Sequence, residues 1–219
     1  MAQAKTRAKI IATFLDLLAS HRWEDVSLVT IADRSGIKLS ELRETFDGKV
    51  AILEAFTRQI DAEVLDHLDK EIAEELPRER LMDVLLSRFD ALDPYKDASR
   101  TLVRAARADL SLAAQLNRVT LISMTWMLNA ANINTAGVQG AVRVQGAALV
   151  FARVMDVWLD DDVSMVKTMA ALDRELRAGE RTIRRLSRLS ALCAPLKRFK
   201  MRRKARPVDE TMEEGAALL

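Results

Sequence analysis

Between Ser27 and Lys49 the chain sets out side chains able to bond to phosphates and to base edges. Ser27 and Thr30 carry hydroxyls that can donate to phosphate oxygens, and Lys49 adds a cation. Lys38, Leu39, Ser40, Glu41, Arg43 and Thr45 lie close enough together to enter a major groove as one group. Glu41 and Glu44, followed by Asp47, oppose the cations, although a glutamate can accept a hydrogen bond from a cytosine amino group. Lys5, Arg7 and Lys9 form a candidate phosphate arm upstream, or an ordinary solvated helix start.

These residues need short, closely spaced elements to hold them. The segment SLVTIADRSGIKLSELRETFDGKVAI predicts a short helix capped by Ser27, a turn on Arg34-Ser35-Gly36-Ile37, and a second helix over 39–45. Gly36 can take positive φ cheaply and reverse the chain. Leu28, Ile31, Ala32, Ile37, Leu42 and Phe46 supply the apolar set such a unit must bury. This is the layout of a helix-turn-helix DNA reader. A dimer would present two such helices about one turn of DNA apart, to a palindromic site.

A second group is apolar. Met124, Trp126, Met127, Phe151, Met155 and Trp158, with Leu128, Leu149 and Val154, are candidates to line a ligand cavity, since methionine adapts to varied shapes. The alternative is plain core packing. Asn129, Asn132 or Arg153 would supply a polar contact, and Arg153 is also placed to pair with Asp156 or Asp160.

Other chemistries find little support. Asp160-Asp161-Asp162 lacks the loop a hard cation needs, so one of them is expected to cap the following helix. His21 and His67 have no second-ligand spacing, and the single cysteine, Cys193, has no redox partner. No phosphate loop or nucleophile elbow occurs. The expectation is a non-enzyme with no metal and no cofactor. With no apolar run of membrane length and no secretory pattern in MAQAKTRAKI, a cytoplasmic location is expected.

Glycine (7), proline (4) and aromatics (5%) are sparse, which favours an all-α protein. Periodicity predicts helices over 5–20, 49–75, about 81–89, 97–108, 111–131, 137–159 and 163–192. The first is apolar at Ile10, Ile11, Phe14, Leu15, Leu17 and Leu18. The expected domains are a helix-turn-helix head (1–50), a helical ligand-binding and dimerisation bundle (51–194) and a disordered, basic-then-acidic tail (195–219). Residues 181–206 hold eleven lysines or arginines and no acid, while the first 180 residues are net −5. The positive field therefore sits away from the candidate DNA reader. It could meet an anionic membrane surface, with Phe199 and Met201 as anchors, or simply aid solubility.

Over residues 5–58 the sequence resembles the TetR family of transcriptional regulators. The resemblance rests on the apolar first helix ending at Trp23, then Val26-Ser27-Leu28, Ile31-Ala32, Gly36-Ile37, Leu42, Phe46, Lys49 and Leu53. It implies an N-terminal three-helix head joined by a long helix to a C-terminal bundle. It also implies operator binding as a homodimer paired through the last two long helices, and release by a small apolar effector. The chain departs from the pattern at Arg43 and Thr45, where the family usually has aromatics; Arg43 can replace one as a phosphate ligand. A second resemblance, on Val150–Asp162 and Thr168–Leu176, is to the TetR-like lipid-binding family of ubiquinone biosynthesis. It implies the same fold used as a lipid-presenting accessory protein that reads no DNA.

Overall fold

The computed structural model describes residues 2–68 and 74–182, which form helices and turns without a strand. Residues 1–177 make one compact unit, and a second begins at Ala178. The basic run from 183 onward, Cys193 and the expected 195–219 tail lie outside the described residues.

The first elements are α1 (Ala2–Ser20), α2 (Leu28–Ser35), α3 (Leu39–Thr45) and α4 (Lys49–Asp66). Ile10, Phe14 and Leu18 of α1 are wholly buried together with Ile31 of α2, Leu42 of α3 and Ile52 of α4. Each such side chain contributes about 2 kcal/mol on leaving water. Leu28, expected inside, is instead 37% exposed; it stands at the first position of α2, one turn before the buried Ile31.

The bundle follows as α5 (Pro77–Leu92), a 3₁₀ turn at Asp93–Tyr95, α6 (Lys96–Ala108), α7 (Leu110–Ala130), α8 (Gly137–Leu159) and α9 (166–182). α4 packs on α5 and α7, α7 on α8, and α6 on both α7 and α1. Phe89 of α5 stacks on Phe151 of α8 at 5.0 Å and tilts against Trp158 at 5.5 Å, in the middle of this core. Gly140 lets α8 lie directly against the Thr135 backbone, where a Cβ would clash.

Several boundaries differ from the periodic reading, and three of them have a local cause. α4 stops at Asp66 rather than near 75, because His67 leaves the helical conformation and its ring nitrogen Nδ1 bonds back to the Glu63 carbonyl oxygen at 2.7 Å. α5 begins at Pro77, not near Leu81, since proline at the first helical position loses no hydrogen bond. α9 begins at 166, not 163: Asp162 accepts from the Ser164 amide and Met165 turns to φ +51°.

The aspartate run works as a cap. The Asp161 carboxylate accepts from the Thr168 amide at 2.7 Å and from its hydroxyl at 2.8 Å, satisfying donors of the first turn of α9. Burial alone would raise this carboxyl, but the bonds from Thr168 and the Asp162 amide outweigh it and hold the group below the ordinary aspartate value. A carboxylate lowered in the fold adds stability above its unfolded value of about pH 4, and the contribution is lost as pH falls through the folded value. Asp161→Asn is therefore expected to be less stable than wild type at pH 7 and to lose less stability between pH 5 and pH 3. Urea unfolding across that range checks it; parallel curves would refute the cap.

Candidate nucleic-acid interface and ligand cavity

The helix-turn-helix is built from its caps. Ser27 Oγ accepts from the Thr30 amide at 3.0 Å and lies 2.8 Å from the Thr30 hydroxyl, so both hydroxyls serve the start of α2. Gly36 closes α2 at φ +61°, ψ +38°, with its amide on Asp33 O and that of Ile37 on Ala32 O. This left-handed residue swings the chain into α3. At the start of α3, Glu41 accepts from the Lys38 amide at 2.8 Å, so this acid is occupied as a cap.

The cations of the head divide into two sets. Arg7 lies over the Phe46 ring at 4.4 Å and donates to the Thr45 carbonyl oxygen, holding the end of α3. Lys49 donates to the Trp23 carbonyl oxygen at 2.7 Å with its ammonium 4.1 Å from the Trp23 ring centroid. Burial pulls the Lys49 ammonium below its ordinary value, with Glu24 acting in the opposite sense. Both side chains therefore brace the head rather than face a phosphate. Lys38, Leu39, Ser40, Glu41 and Arg43 are all exposed on α3, and Lys5 and Lys9 on α1. Thr45 is half-buried, its hydroxyl donating to Glu41 O at 2.8 Å. Arg43 pairs with Asp47 one turn on, both largely exposed. Such a pair is worth only about 0.5 kcal/mol and yields readily to a phosphate.

The second site is a cavity of about 410 Å³ in the side of the bundle, open to solvent where the exposed Arg107, Asn117, Ala152 and Asp156 rim it. Its walls include Leu53 and Phe56 of α4, Leu102 and Val103 of α6, Leu116 of α7, and Phe151 and Met155 of α8. Of the residues expected from sequence, Phe151 and Met155 line it. Met124, Met127 and Trp158 are fully buried in the core away from it. Trp126 is 55% exposed on α7 and lines no part of it, a correction to the periodic reading. Asn129, in the last turn of α7, bonds to Thr125 O and to the Thr135 hydroxyl of the α7–α8 connection, which holds Asn132 in the left-handed region at φ +54°. Arg153 pairs with Glu175 at 3.0 Å rather than with Asp156 or Asp160, which bind Arg107 and Arg100.

Sequence reasoning missed the polar part of the cavity. Arg88 of α5 lines it although its side chain is 5% exposed, and its Nη1 donates to Asp61 Oδ1 of α4. Ser123 of α7 donates to the same oxygen at 2.7 Å. The guanidinium carbon stands 5.3 Å from the Phe151 ring centroid, and Nε has no acceptor. Burial lowers the Arg88 value and Asp61 raises it in part. The available signal was a charge on an apolar face: Asp61 between Ile60 and Val64, and Arg88 between Leu85 and Phe89. A separate cleft of about 380 Å³ lies between the end of α1, at His21 and Trp23, and Arg104 of α6.

No protein-family model matches the sequence, and no curated protein matches it. Solved structures do. The chain is similar to a TetR transcriptional regulator from Nitrosomonas europaea, at 21% identity and a TM-score of 0.62, covering 80% of this chain and 97% of that one. It is also similar to a TetR transcriptional regulator from Rhodococcus sp. RHA1, at 18% identity and a TM-score of 0.59 over 82% and 97% of the two chains. The fold is all-α and TetR-like.

α3 depends on the left-handed turn, and a Cβ on Gly36 would meet nothing closer than Lys9 Nζ at 3.6 Å. The cost of Gly36→Ala is therefore one of backbone conformation alone, about 1–2 kcal/mol. Thermal unfolding should show a drop of several degrees. An unchanged midpoint would mean that the turn does not need the positive φ.

Proposed function

We propose that the chain is a TetR-type transcriptional regulator, acting as a repressor, that binds operator DNA as a homodimer and is released by a small apolar ligand. The observation that carries this reading is the head itself: a capped helix-turn-helix with Lys38 at the start of the second helix and Leu39, Ser40 and Arg43 on it exposed, clamped to a helix that also walls a cavity through Leu53 and Phe56. The names of the similar structures, TetR transcriptional regulators, point the same way.

Charge does not oppose the reading. Residues 27–49 carry four acids and four bases, and Lys5, Arg7 and Lys9 of the packed α1 tip the head positive. Lys38, Arg43, Lys5 and Lys9 take the phosphate contacts in this proposal; Ser27, Thr30, Ser40, Glu41 and Thr45 support polar contacts around them. Lys49 contributes through the start of α4 and not through its ammonium.

An apolar stripe supports pairing. Val138, Val142 and Leu149 of α8 are 84%, 46% and 49% exposed, and Val166 and Met169 of α9 are 64% and 43% exposed. Exposed apolar side chains on these two helices are candidates for the contact between two copies. Coupling would run through α4, which joins head and cavity, and α6, which lines the cavity and packs on α1. A ligand that fits one spacing of the two heads better shifts the population toward it and lowers operator affinity. Among the described residues no helix is long and apolar enough to cross a membrane. A cytoplasmic, non-catalytic protein is part of the proposal.

Selection from random duplex DNA is expected to enrich a palindrome with half-sites about 34 Å apart, bound with a steep salt dependence. Arg43→Ala should weaken binding to that duplex about tenfold without changing thermal unfolding, and Lys38→Ala should lessen the salt slope. No enriched sequence, or full affinity in both variants, would overturn the DNA-reading assignment.

A further inference from the structure

Arg88 gives the cavity a chemical preference. It is a cation in a wall otherwise made largely of aliphatic and aromatic carbon, and among the described residues only Nη1 of its three nitrogens is taken, by Asp61. Nε is enclosed without an acceptor. It is enclosed too tightly for a molecule in the cavity to reach, so an acceptor there would be met by the other free nitrogen of the guanidinium, Nη2. The plane of the guanidinium is held by the Asp61 bond, with the Phe151 ring beside it, so its remaining donors are fixed in direction.

The charge balance selects the kind of acceptor. Asp61 already neutralises Arg88, and Arg107 and Asp156, both lining residues, neutralise each other at 2.6 Å. A carboxylate ligand would place a second anion beside Asp61 with no second cation to meet it, and would have to leave water to do so. A ketone, ester or similar carbonyl oxygen carries no such cost. A volume of about 410 Å³ suits a molecule of modest size.

We infer that the effector is an apolar molecule bearing one neutral carbonyl-type acceptor, received by the Arg88 guanidinium at the inner wall of the cavity. This inference rests on the effector part of the function proposed above and names its chemical class. Arg88 is then the specificity-determining residue, Asp61 and Ser123 its positioning residues, and the apolar walls supply most of the affinity.

The test uses three nine-carbon probes on the full chain at pH 7.5: 2-nonanone, nonanoate and nonylamine. Calorimetry is expected to rank 2-nonanone first, by about tenfold over either charged probe, the weight of one hydrogen bond to a charged donor. In ¹⁵N spectra of the wild type, the Arg88 side-chain resonance should move with 2-nonanone. Removing Arg88 alone would strand the Asp61 charge, so the charge-neutral pair Asp61→Asn with Arg88→Met is used. It should keep the fold by circular dichroism and lose the tenfold preference. Should that pair not fold, Arg88→Lys keeps the charge without the planar fork and should narrow the preference. Nonanoate binding as tightly as the ketone, no binding of any probe, or a still Arg88 resonance would each overturn the inference. Operator binding without ligand is measured alongside: its absence would sink the regulator reading while leaving the cavity's preference intact.

Discussion

The buried bond between Arg88 and Asp61 fixes how the bundle can be assembled. Apolar helix faces tolerate sliding, because one leucine beside another is nearly as good as its neighbour. A guanidinium and a carboxylate, 5% and 8% exposed, tolerate only one register. Ser123 bonds to the same carboxylate oxygen, so α4, α5 and α7 meet at one polar point. Breaking such a pair by removing one partner typically costs about 3–5 kcal/mol, more than any single apolar contact around it. The position of α4 follows from this point, and α4 in turn carries both a wall of the cavity and a side of the head.

The head obeys a related logic on a smaller scale. α3 has seven residues and buries only Leu42. A helix that short does not persist alone in water. It is held at its entry by the Gly36 turn and the Glu41 cap, and at its exit by Arg7 on Phe46 and Thr45. Lys49 on Trp23 then anchors the start of α4. Arg7 and Lys49, which hold the frame, are partly buried on rings and carbonyls of the chain, while Lys5, Lys9, Lys38 and Arg43 are exposed. The division was invisible in the sequence, where all six look alike, because it depends on which ring and which carbonyl lie nearby in space.

Much of the fold was legible. The bounds of α3 and α8 agree with the periodic reading, since a Gly36 turn, an Asp47-Gly48 break and a polar Asn132–Thr135 connection punctuate strongly. The buried face of α1 was legible for the same reason: six apolar residues repeat at helical spacing and all are buried. Ends without such punctuation were not, as the early stop of α4 shows. The cavity was read least well. An apolar residue facing a void and one facing another side chain have the same periodicity, so Trp126, Met124 and Leu102 could not be told apart. Asp61 and Arg88 did leave a trace, as charges on apolar faces, because a buried charge persists only with a partner.

The two ends of the cavity are held with different strength. α5 buries Leu81, Val84, Leu85, Phe89 and Leu92 in addition to Arg88. α6 buries only Ala98, Ser99 and Ala105, small side chains that remove little apolar surface from water. It adds the half-buried Leu102 and Val103, its packing along α1, and polar bonds: Lys96 to the Asp161 carbonyl oxygen, Arg100 to Asp160 and the Leu159 carbonyl oxygen, Arg107 to Asp156. In the regulator proposed above, a molecule entering between them would meet one wall fixed by a buried ion pair and another lined by small and half-buried side chains. That second wall is also the helix against which α1 packs. The chain thus joins a helix that lines the cavity to the first helix of its head, and in the regulator proposed above that contact is a route by which filling the cavity would reach α3.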